Sequence, residues 1–329
     1  MTLSATNEGP ILGVDIGGTK VAVGLVGRDG KILTQARKPM IANGTAEAGL
    51  RAVTEAIDSL FFSAEARGGI LNIGICAPGP LDPVSGLVLN PPNLPCWRDF
   101  PLAEKIRNTY KVSVKLDNDA NAAALAETIW GAARGYRYVF YATIGTGIGT
   151  GIVFDGKIYH GHTGAAGEGG HVSIDYRGPV CGCGKHGCIE ILAAGPAIGA
   201  RARAKISAEP SRAASLLDLA HQDVAAVTSE MVGHACAAGD PLAREILEGT
   251  VELLTAWLGN IVDLLDPDVV VMGGGVAAML KPFFDEIKTR LPDWCVNPRA
   301  SEIPLVMAHY GADTGIAGGA ALCAKDLES

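Results

Sequence analysis

The sequence predicts an α/β protein of two domains built on a duplicated fold, and three observations carry that reading. Residues 11–26, ILGVDIGGTKVAVGLV, and residues 138–153, YVFYATIGTGIGTGIV, share one layout: an apolar strand, a turn of glycine and threonine, and a second strand. Between and after them, short apolar runs that read as buried strands alternate with longer helical patterns. A chain of 329 residues is also the length of about two domains.

The first unit, 11–26, resumes a strand pattern at Val21, Val23 and Leu25 directly after its glycines. That excludes a Walker A loop and a dinucleotide-binding turn, both of which open a helix. A strand, turn and strand with Asp15 at the mouth is a third kind of phosphate loop. Backbone N–H groups of Gly17, Gly18 and Thr19 can form a nest for phosphate oxygens, and Asp15 can hold a hydrated Mg²⁺. The competing reading of this stretch is an ordinary hairpin turn.

Residues 45–62 carry a helical pattern, and 70–75 a buried strand. Residues 76–102, CAPGPLDPVSGLVLNPPNLPCWRDFPL, form a long loop rich in proline and glycine, a type that is usually functional when it interrupts a compact domain. Gly79, by close backbone approach, and Asn93, by its amide, are its candidates for touching a ligand; the alternative is a plain connection. A strand at 112–116 then runs into DNDANAAALAE. Any of Asp117, Asn118 and Asp119 can cap the alanine-rich helix expected over 122–130. One cap suffices, and Asp117, Asn118, Asp119 and Asn121 are a surplus that points to a site at the strand's end.

Residues 138–153 repeat the first loop, with Thr146 and Gly147 in the turn, so two phosphate loops are expected to face each other across a cleft. Helices are expected at 193–206, 213–220, 224–238 and 240–265, the last opened by Asp240-Pro241. Residues 268–276, DVVVMGGGV, read as a buried strand ending in Gly273, Gly274 and Gly275 before a helix over 277–290. Such a junction sets bare backbone and a helix N-terminus beside a ligand, suitable for an adenosine or its α-phosphate. The closing residues 311–323, GADTGIAGGAALC, read as a small-residue helix packed tightly on its neighbours.

The most informative stretch is 167–190, GEGGHVSIDYRGPVCGCGKHGCIE. His171, Cys181, Cys183 and Cys188 are four borderline or soft donors, the number and type of a closed tetrahedral zinc site. Gly182, Gly184 and Gly187 separate the sulfurs and allow tight turns. The alternative, buried free thiols, fits poorly with three cysteines in eight positions behind a histidine. Glu168 and Glu190 bracket this knot. Neither is a typical ligand beside three thiolates, so on one cavity they would be acceptors for the hydroxyls of a polyhydroxylated substrate; the alternative is two solvated surface carboxylates.

Composition excludes several classes. Hydrophobic residues make up 48% and charged residues 19%, which is a well-buried globular chain. Net charge is 27 − 35 = −8, which argues against non-specific binding to nucleic acid or anionic membranes. Runs such as 269–272 are far short of a membrane span. MTLSATNEGP has neither the basic region nor the apolar core of a secretory leader, so a cytosolic protein is expected. Cys76, Cys96, Cys236, Cys295 and Cys323 are scattered, as reduced thiols are.

Taken together, DIGGTK at 15–20, APGP at 77–80, DNDANAA at 117–123, IGTGIGTG at 144–151, GEGGH at 167–171, CGCGKHGCIE at 181–190 and GGGV at 273–276 resemble the ROK family of sugar kinases and sugar-responsive repressors. PPNLPCWRDFPL at 91–102 looks most like the glucokinases of that family. The resemblance implies an actin-like ATPase fold of ribonuclease H-like duplicated domains with an inserted zinc knot, each domain a mixed five-stranded sheet with helices, closing over the sugar by a hinge motion. The smaller domain would comprise 1–121 plus about 311–329, and the larger 122–310.

It further implies that Asp119 is the catalytic base and that Asn118 binds the sugar beside it. Glu168, His171 and Glu190 would hold sugar hydroxyls, with one ring nitrogen of His171 on zinc and the other on substrate. Asp15, Gly17, Gly18, Thr19, Lys20, Thr146 and Gly147 would serve the ATP phosphates, and Gly273, Gly274 and Gly275 the adenosine end. Gly170, where family members carry a larger residue, is expected to loosen the packing behind the sugar.

The expected reaction is ATP- and Mg²⁺-dependent phosphorylation of glucose at its 6-hydroxyl, with structural zinc as a brace and a homodimer or homotetramer as the assembly. Other members of the same class would act on N-acetylmannosamine, N-acetylglucosamine or fructose. A sugar-sensing repressor would need a DNA-binding segment ahead of the first phosphate strand, for which a start at Ile11 leaves no room.

Overall fold

The computed structural model describes residues 9–63, 69–70 and 72–324. The first eight residues, on which the reading of a missing secretory leader rests, lie outside them. Contacts divide the chain into two compact units, Met1–Arg137 with Gly151–Gly167 and His309–Ser329, and Tyr138–Thr150 with Glu168–Ala308.

The first unit is built on β1 (Ile11–Ile16), β2 (Lys20–Val26), β3 (Ile32–Pro39), α1 (Ala46–Phe61), β4 (Asn72–Ala77), the small hairpin β5 (Leu81–Asp82) and β6 (Leu87–Val88), α2 (Leu102–Tyr110), β7 (Ser113–Asn118) and α3 (Asp119–Ile129). Its mixed sheet has the order β3-β2-β1-β4-β7, with β1 antiparallel to β2 and parallel to β4. α1 forms because Thr45 caps it, accepting from Ala48 N–H, and because Ala52, Val53, Ala56, Ile57 and Leu60 fall on one buried face. The proline-rich loop is less irregular than its composition suggests. Besides the hairpin, fully buried Leu94 and Trp97 anchor it in the core, and Trp97 Nε1 donates to the Ala46 carbonyl at 3.1 Å.

The second sheet runs β10-β9-β8-β11-β12. The elements that follow in the chain are β8 (Tyr138–Ile144), β9 (Ile148–Phe154), β10 (Lys157–Ile158), α4 (Ile189–Ala193), α5 (Gly195–Ala208), α6 (Ala214–Leu219), α7 (Ser229–Ala237), α8 (Pro241–Leu265), β11 (Val269–Gly273), α9 (Gly274–Leu280), α10 (Phe284–Arg290), β12 (Leu305–Met307) and α11 (Thr314–Ala324), the last of which belongs to the first unit. α8 starts as its sequence dictates, with Asp240 accepting from Ala243 N–H and proline at the first turn, and ends on Asp266 in the left-handed region. The helix expected over 277–290 is instead two short helices: α9 begins within the glycines at Gly274, and a 3-10 turn at Lys281–Phe283, with Pro282, separates it from α10. No helix among the described residues is long and apolar enough to cross a membrane.

α11 packs against β1 and β4 with almost no side chain between them. A Cβ on Gly74 would lie 1.8 Å from the Gly319 carbonyl oxygen, and one on Gly13 would lie 2.0 Å from that of Ile316. Both obstacles are backbone, so neither can yield by a rotamer change. Gly74→Ala is therefore expected to cost about 1–3 kcal/mol, measured as a lower denaturation midpoint at unchanged m-value. An unchanged midpoint would mean that α11 can shift on the sheet.

Candidate functional site

In the first unit, Gly17, Gly18 and Thr19 form the turn between β1 and β2. The Gly17 N–H, expected to face a phosphate, is engaged by the turn itself, donating to Lys20 O at 2.9 Å. The nest reading therefore rests on Gly18 and Thr19. Gly18 is held close to the proline-rich loop, where a Cβ would meet Asn93 O at 2.8 Å, so two residues singled out separately in the sequence are neighbours. Lys20 opens β2 and is exposed. Asp15 sits near the end of β1, with the Cys76 thiol 3.7 Å from its Oδ1. Burial raises its carboxyl above the usual carboxylate range, and the Lys20 ammonium works against that shift. A carboxylate in such a place is eased by a cation.

The surplus of Asp and Asn at the end of β7 resolves into distinct tasks. Asn118 is the cap of α3, its Oδ1 accepting from Ala120 N–H at 2.9 Å and Asn121 N–H at 3.3 Å. The helix thus starts three residues earlier than its alanines suggest, and Asp119 is its first residue, with Oδ1 accepting from Ala120 N–H at 2.8 Å. Gly79 borders this turn, the position of a Cβ lying 3.6 Å from Asn118 Nδ2. Asp117 is buried. Its Oδ1 accepts from Asn118 N–H at 2.7 Å and from Asn121 Nδ2 at 3.2 Å, and its Oδ2 lies 2.7 Å from His160 Nε2. That hydrogen bond raises the His160 pKa against the opposing effect of burial. No local pattern marks His160, whose partner lies 43 positions away.

In the second unit, the turn between β8 and β9 holds Thr146 and Gly147 and is closed by Gly145 N–H on Gly147 O at 2.9 Å. Glu190, on α4, lies against this turn. Its Oε2 accepts from Ile148 N–H at 2.9 Å and is 2.7 Å from where a Cβ on Gly147 would stand. Glu190 is therefore neither a solvated carboxylate nor an acceptor without a donor: it already holds the start of β9. Its Oε1 is 3.9 Å from both His171 Nδ1 and Cys181 Sγ.

Glu168 precedes a 3-10 turn, Gly169–His171, and its carbonyl accepts from His171 N–H at 3.0 Å. Gly169 is clamped on both sides. Its N–H donates to Thr150 Oγ1 at 2.7 Å, and its carbonyl accepts from Nε1 of the fully buried Trp257 at 3.0 Å. The sequence pattern marked neither Thr150 nor Trp257. Gly170 does not loosen the packing as expected. It is buried, and a Cβ there would stand 1.9 Å from Ile148 O, so its backbone lies against β9 where a side chain could not fit.

His171, Cys181, Cys183 and Cys188 converge, their ligand atoms all within 4.8 Å of one another. The Cys183–Cys188 sulfur separation is 3.6 Å, and Cys181 Sγ to His171 Nδ1 is 3.7 Å. A tetrahedron with metal–sulfur bonds of about 2.3 Å and a metal–nitrogen bond of about 2.0 Å has edges of roughly 3.5–3.8 Å. These two separations fall in that range, and all four donors lie close enough to share one cation. Burial, followed by the neighbouring Cys183 and Cys181, pushes the Cys188 thiol up to about 12, a position where a sulfur keeps its proton unless a cation replaces it. Gly184 and Gly187 are left-handed, as the tight turns require; Gly182 is not, and a Cβ there would meet open space.

A cavity of about 940 Å³ opens beside the second turn, lined among others by Gly145, Thr146, Gly195, Arg203, Gly275 and Met279. Gly273 ends β11, and a Cβ on it would lie 2.7 Å from the Tyr141 hydroxyl. Gly274 is left-handed, its Cβ position 2.3 Å from Ile144 O. Of the three glycines, Gly275 is the one that reaches the cavity wall.

The model of the ROK family matches residues 11–326. A glucokinase of Thermotoga maritima is 31% identical over 325 residues, 95% of this chain and 96% of that one. An N-acetylmannosamine kinase of Escherichia coli O139:H28 is 33% identical over 312 residues, 94% of this chain and 97% of that one. Among solved structures, a ROK family glucokinase from Streptomyces griseus in complex with glucose and AMPPNP matches with a TM-score of 0.77 and 34% identity, over 95% of this chain and 99% of that chain.

Proposed function

Because the chain belongs to the ROK family, we propose that it transfers the γ-phosphoryl group of ATP to the 6-hydroxyl of glucose. The observation that carries the reading is near full-length similarity to glucokinases, one of them solved with glucose and an ATP analogue. The Asn118–Asp119 turn and the Glu168–His171–Glu190 group lie in the segments so matched.

Phosphoryl transfer asks the protein mainly to position reactants and balance charge, while one group takes the attacking hydroxyl's proton. Asp119 takes it: as the first residue of α3 its carboxylate is fixed at the helix's positive end, and Asn118, which caps that helix, binds the sugar beside it. The oxygen of the 6-hydroxyl forms its bond to the γ-phosphorus, the bond to the β,γ-bridging oxygen breaks, and ADP leaves. Gly18, Thr19, Lys20, Thr146 and Gly147 serve the phosphates. The cavity lined by Gly145, Arg203 and Gly275 suits the adenosine in size. Asp15 would hold Mg²⁺, which neutralises charge on the transferred phosphoryl.

His171, Cys181, Cys183 and Cys188 would hold zinc. Four protein ligands leave no open coordination position, so its task is to fix the loop. With Nδ1 of His171 toward the sulfurs, Nε2 is left for a sugar hydroxyl, alongside Glu168 and Glu190. The reading places the protein in the cytoplasm as a homodimer or homotetramer, an assembly that light scattering measures directly.

A second reading, an N-acetylmannosamine kinase, is favoured by a relative at 33% identity, against 31% for the Thermotoga maritima glucokinase; the glucokinase-like segment 91–102 supports glucose over it. The test is ADP release with ATP and Mg²⁺ on glucose, mannose, fructose, N-acetylglucosamine and N-acetylmannosamine, with zinc measured on the same sample. Preference for glucose with about one zinc per chain is expected. Preference for an acetylated sugar would move the specificity, and no turnover on any sugar would remove the kinase reading.

A further inference from the structure

Asp117 is the least exposed carboxylate of the Asp/Asn cluster, its side chain only 6% accessible. Both of its oxygens are in use. Oδ1 grips the backbone N–H of Asn118 and the side-chain amide of Asn121, so it clasps the first turn of α3 from below the residue that carries the proposed base. Oδ2 has His160 Nε2 at 2.7 Å, close to the lower end of the range for such a bond. Oδ1 is thus held by two donors, and the ring of His160 restrains the other end of the same carboxylate.

His160 is itself fixed in place. It follows β10, and its carbonyl accepts from Ala166 N–H at 3.1 Å, closing residues 160–166 into one turn. Gly161, at φ +70°, allows that turn, and a Cβ on it would press to 2.9 Å from that of Ala166. The ring is about one third exposed and faces a cavity of about 600 Å³ that Asp117, Lys115, Leu125, Lys157 and Leu322 also line. Lys115, Lys157 and His162 are the other basic groups on this cavity, and Asp82 its second carboxylate. The Asp117 oxygen is bonded to the His160 ring.

We propose that His160 is a positioning residue for phosphoryl transfer: through Asp117 it sets the orientation of the Asn118–Asp119 turn. The inference rests on the function proposed above, and it predicts a larger effect on turnover, through Asp119, than on sugar affinity, to which Asn118 is one of several contributors.

The cavity supplies the test. His160→Ala leaves room for a free imidazole against Asp117. Expected for H160A is a kcat lowered about tenfold or more, the rate equivalent of one lost hydrogen bond at the site, with glucose KM within about threefold. Added imidazole should restore most of that loss saturably and leave the wild type unchanged. H160Q, which keeps an amide donor, should retain kcat within about threefold. An unimpaired H160A overturns the inference, as does an impaired one that ignores imidazole, since that outcome reports packing alone. Should H160A fail to fold, H160F keeps a ring without a donor and is read in its place, with kcat equal to wild type as the refuting result. A wild type without turnover overturns the function itself, and active wild type beside active H160A overturns only the role of His160.

Discussion

Asp119→Asn is expected to bind glucose as the wild type does and to turn it over roughly 10²–10⁴-fold more slowly, the usual contribution of a general base. The structure explains why the loss should be confined to chemistry. The cap of α3 is Asn118, which the substitution leaves alone. The hydrogen bond from Ala120 N–H to Asp119 Oδ1 can be accepted equally by the amide oxygen of asparagine. Shape, cap and the bond from Ala120 N–H thus survive, and what disappears is the capacity to take a proton. Calorimetric glucose binding together with kcat from coupled ADP release separates the two. A kcat within tenfold of wild type would show that the proton leaves by another route, and lost glucose binding would make Asp119 a sugar ligand first.

How far such assignments could be read from sequence depends on how local their cause is. The two Gly/Thr turns, the helix start at Asp240 and the convergence of three cysteines with a histidine are set by neighbours in the chain, and the structure shows each of them. Where the cause lies far off, the sequence was silent or misleading. Nothing near Gly169 announces that Trp257, 88 positions on, donates to its carbonyl. Nothing near Asp117 points to His160. Gly170 reads as a missing side chain, yet its meaning is the approach of Ile148 O, a distance that only the folded backbone defines. The glycines at 273–275 suggested an open junction before a later helix; Gly274, left-handed against Ile144 O, lets α9 start at once. Small residues mark where backbone comes close, and they do not say to what.

The same distinction governs the largest effect expected of a change outside the proposed chemistry. Cys188→Ser should abolish the proposed zinc binding and lower kcat/KM for glucose by on the order of 10²-fold or more, acting through binding of the sugar and not through the nucleotide. Cys188 is fully buried, and its thiol also donates to the His171 carbonyl at 3.4 Å, so this sulfur joins the two ends of the cluster. Serine offers a harder, shorter donor in a site whose other donors are two sulfurs and an imidazole, and zinc binding should fall accordingly. Without the cation, His171 Nδ1 has no fixed partner and its ring is free to turn. Glu190, whose Oε1 stands 3.9 Å from that nitrogen and from Cys181 Sγ, loses the environment that sets its second oxygen. Its other oxygen still holds Ile148 N–H, so the β8–β9 turn and the cavity beside it should persist. The expected pattern is therefore asymmetric: zinc content near zero, glucose binding strongly weakened, and binding of a non-hydrolysable ATP analogue close to wild type. Equal loss of both ligands would mean that the loop supports the whole unit's fold, and zinc-free protein with unchanged glucose affinity would remove the metal from substrate binding altogether.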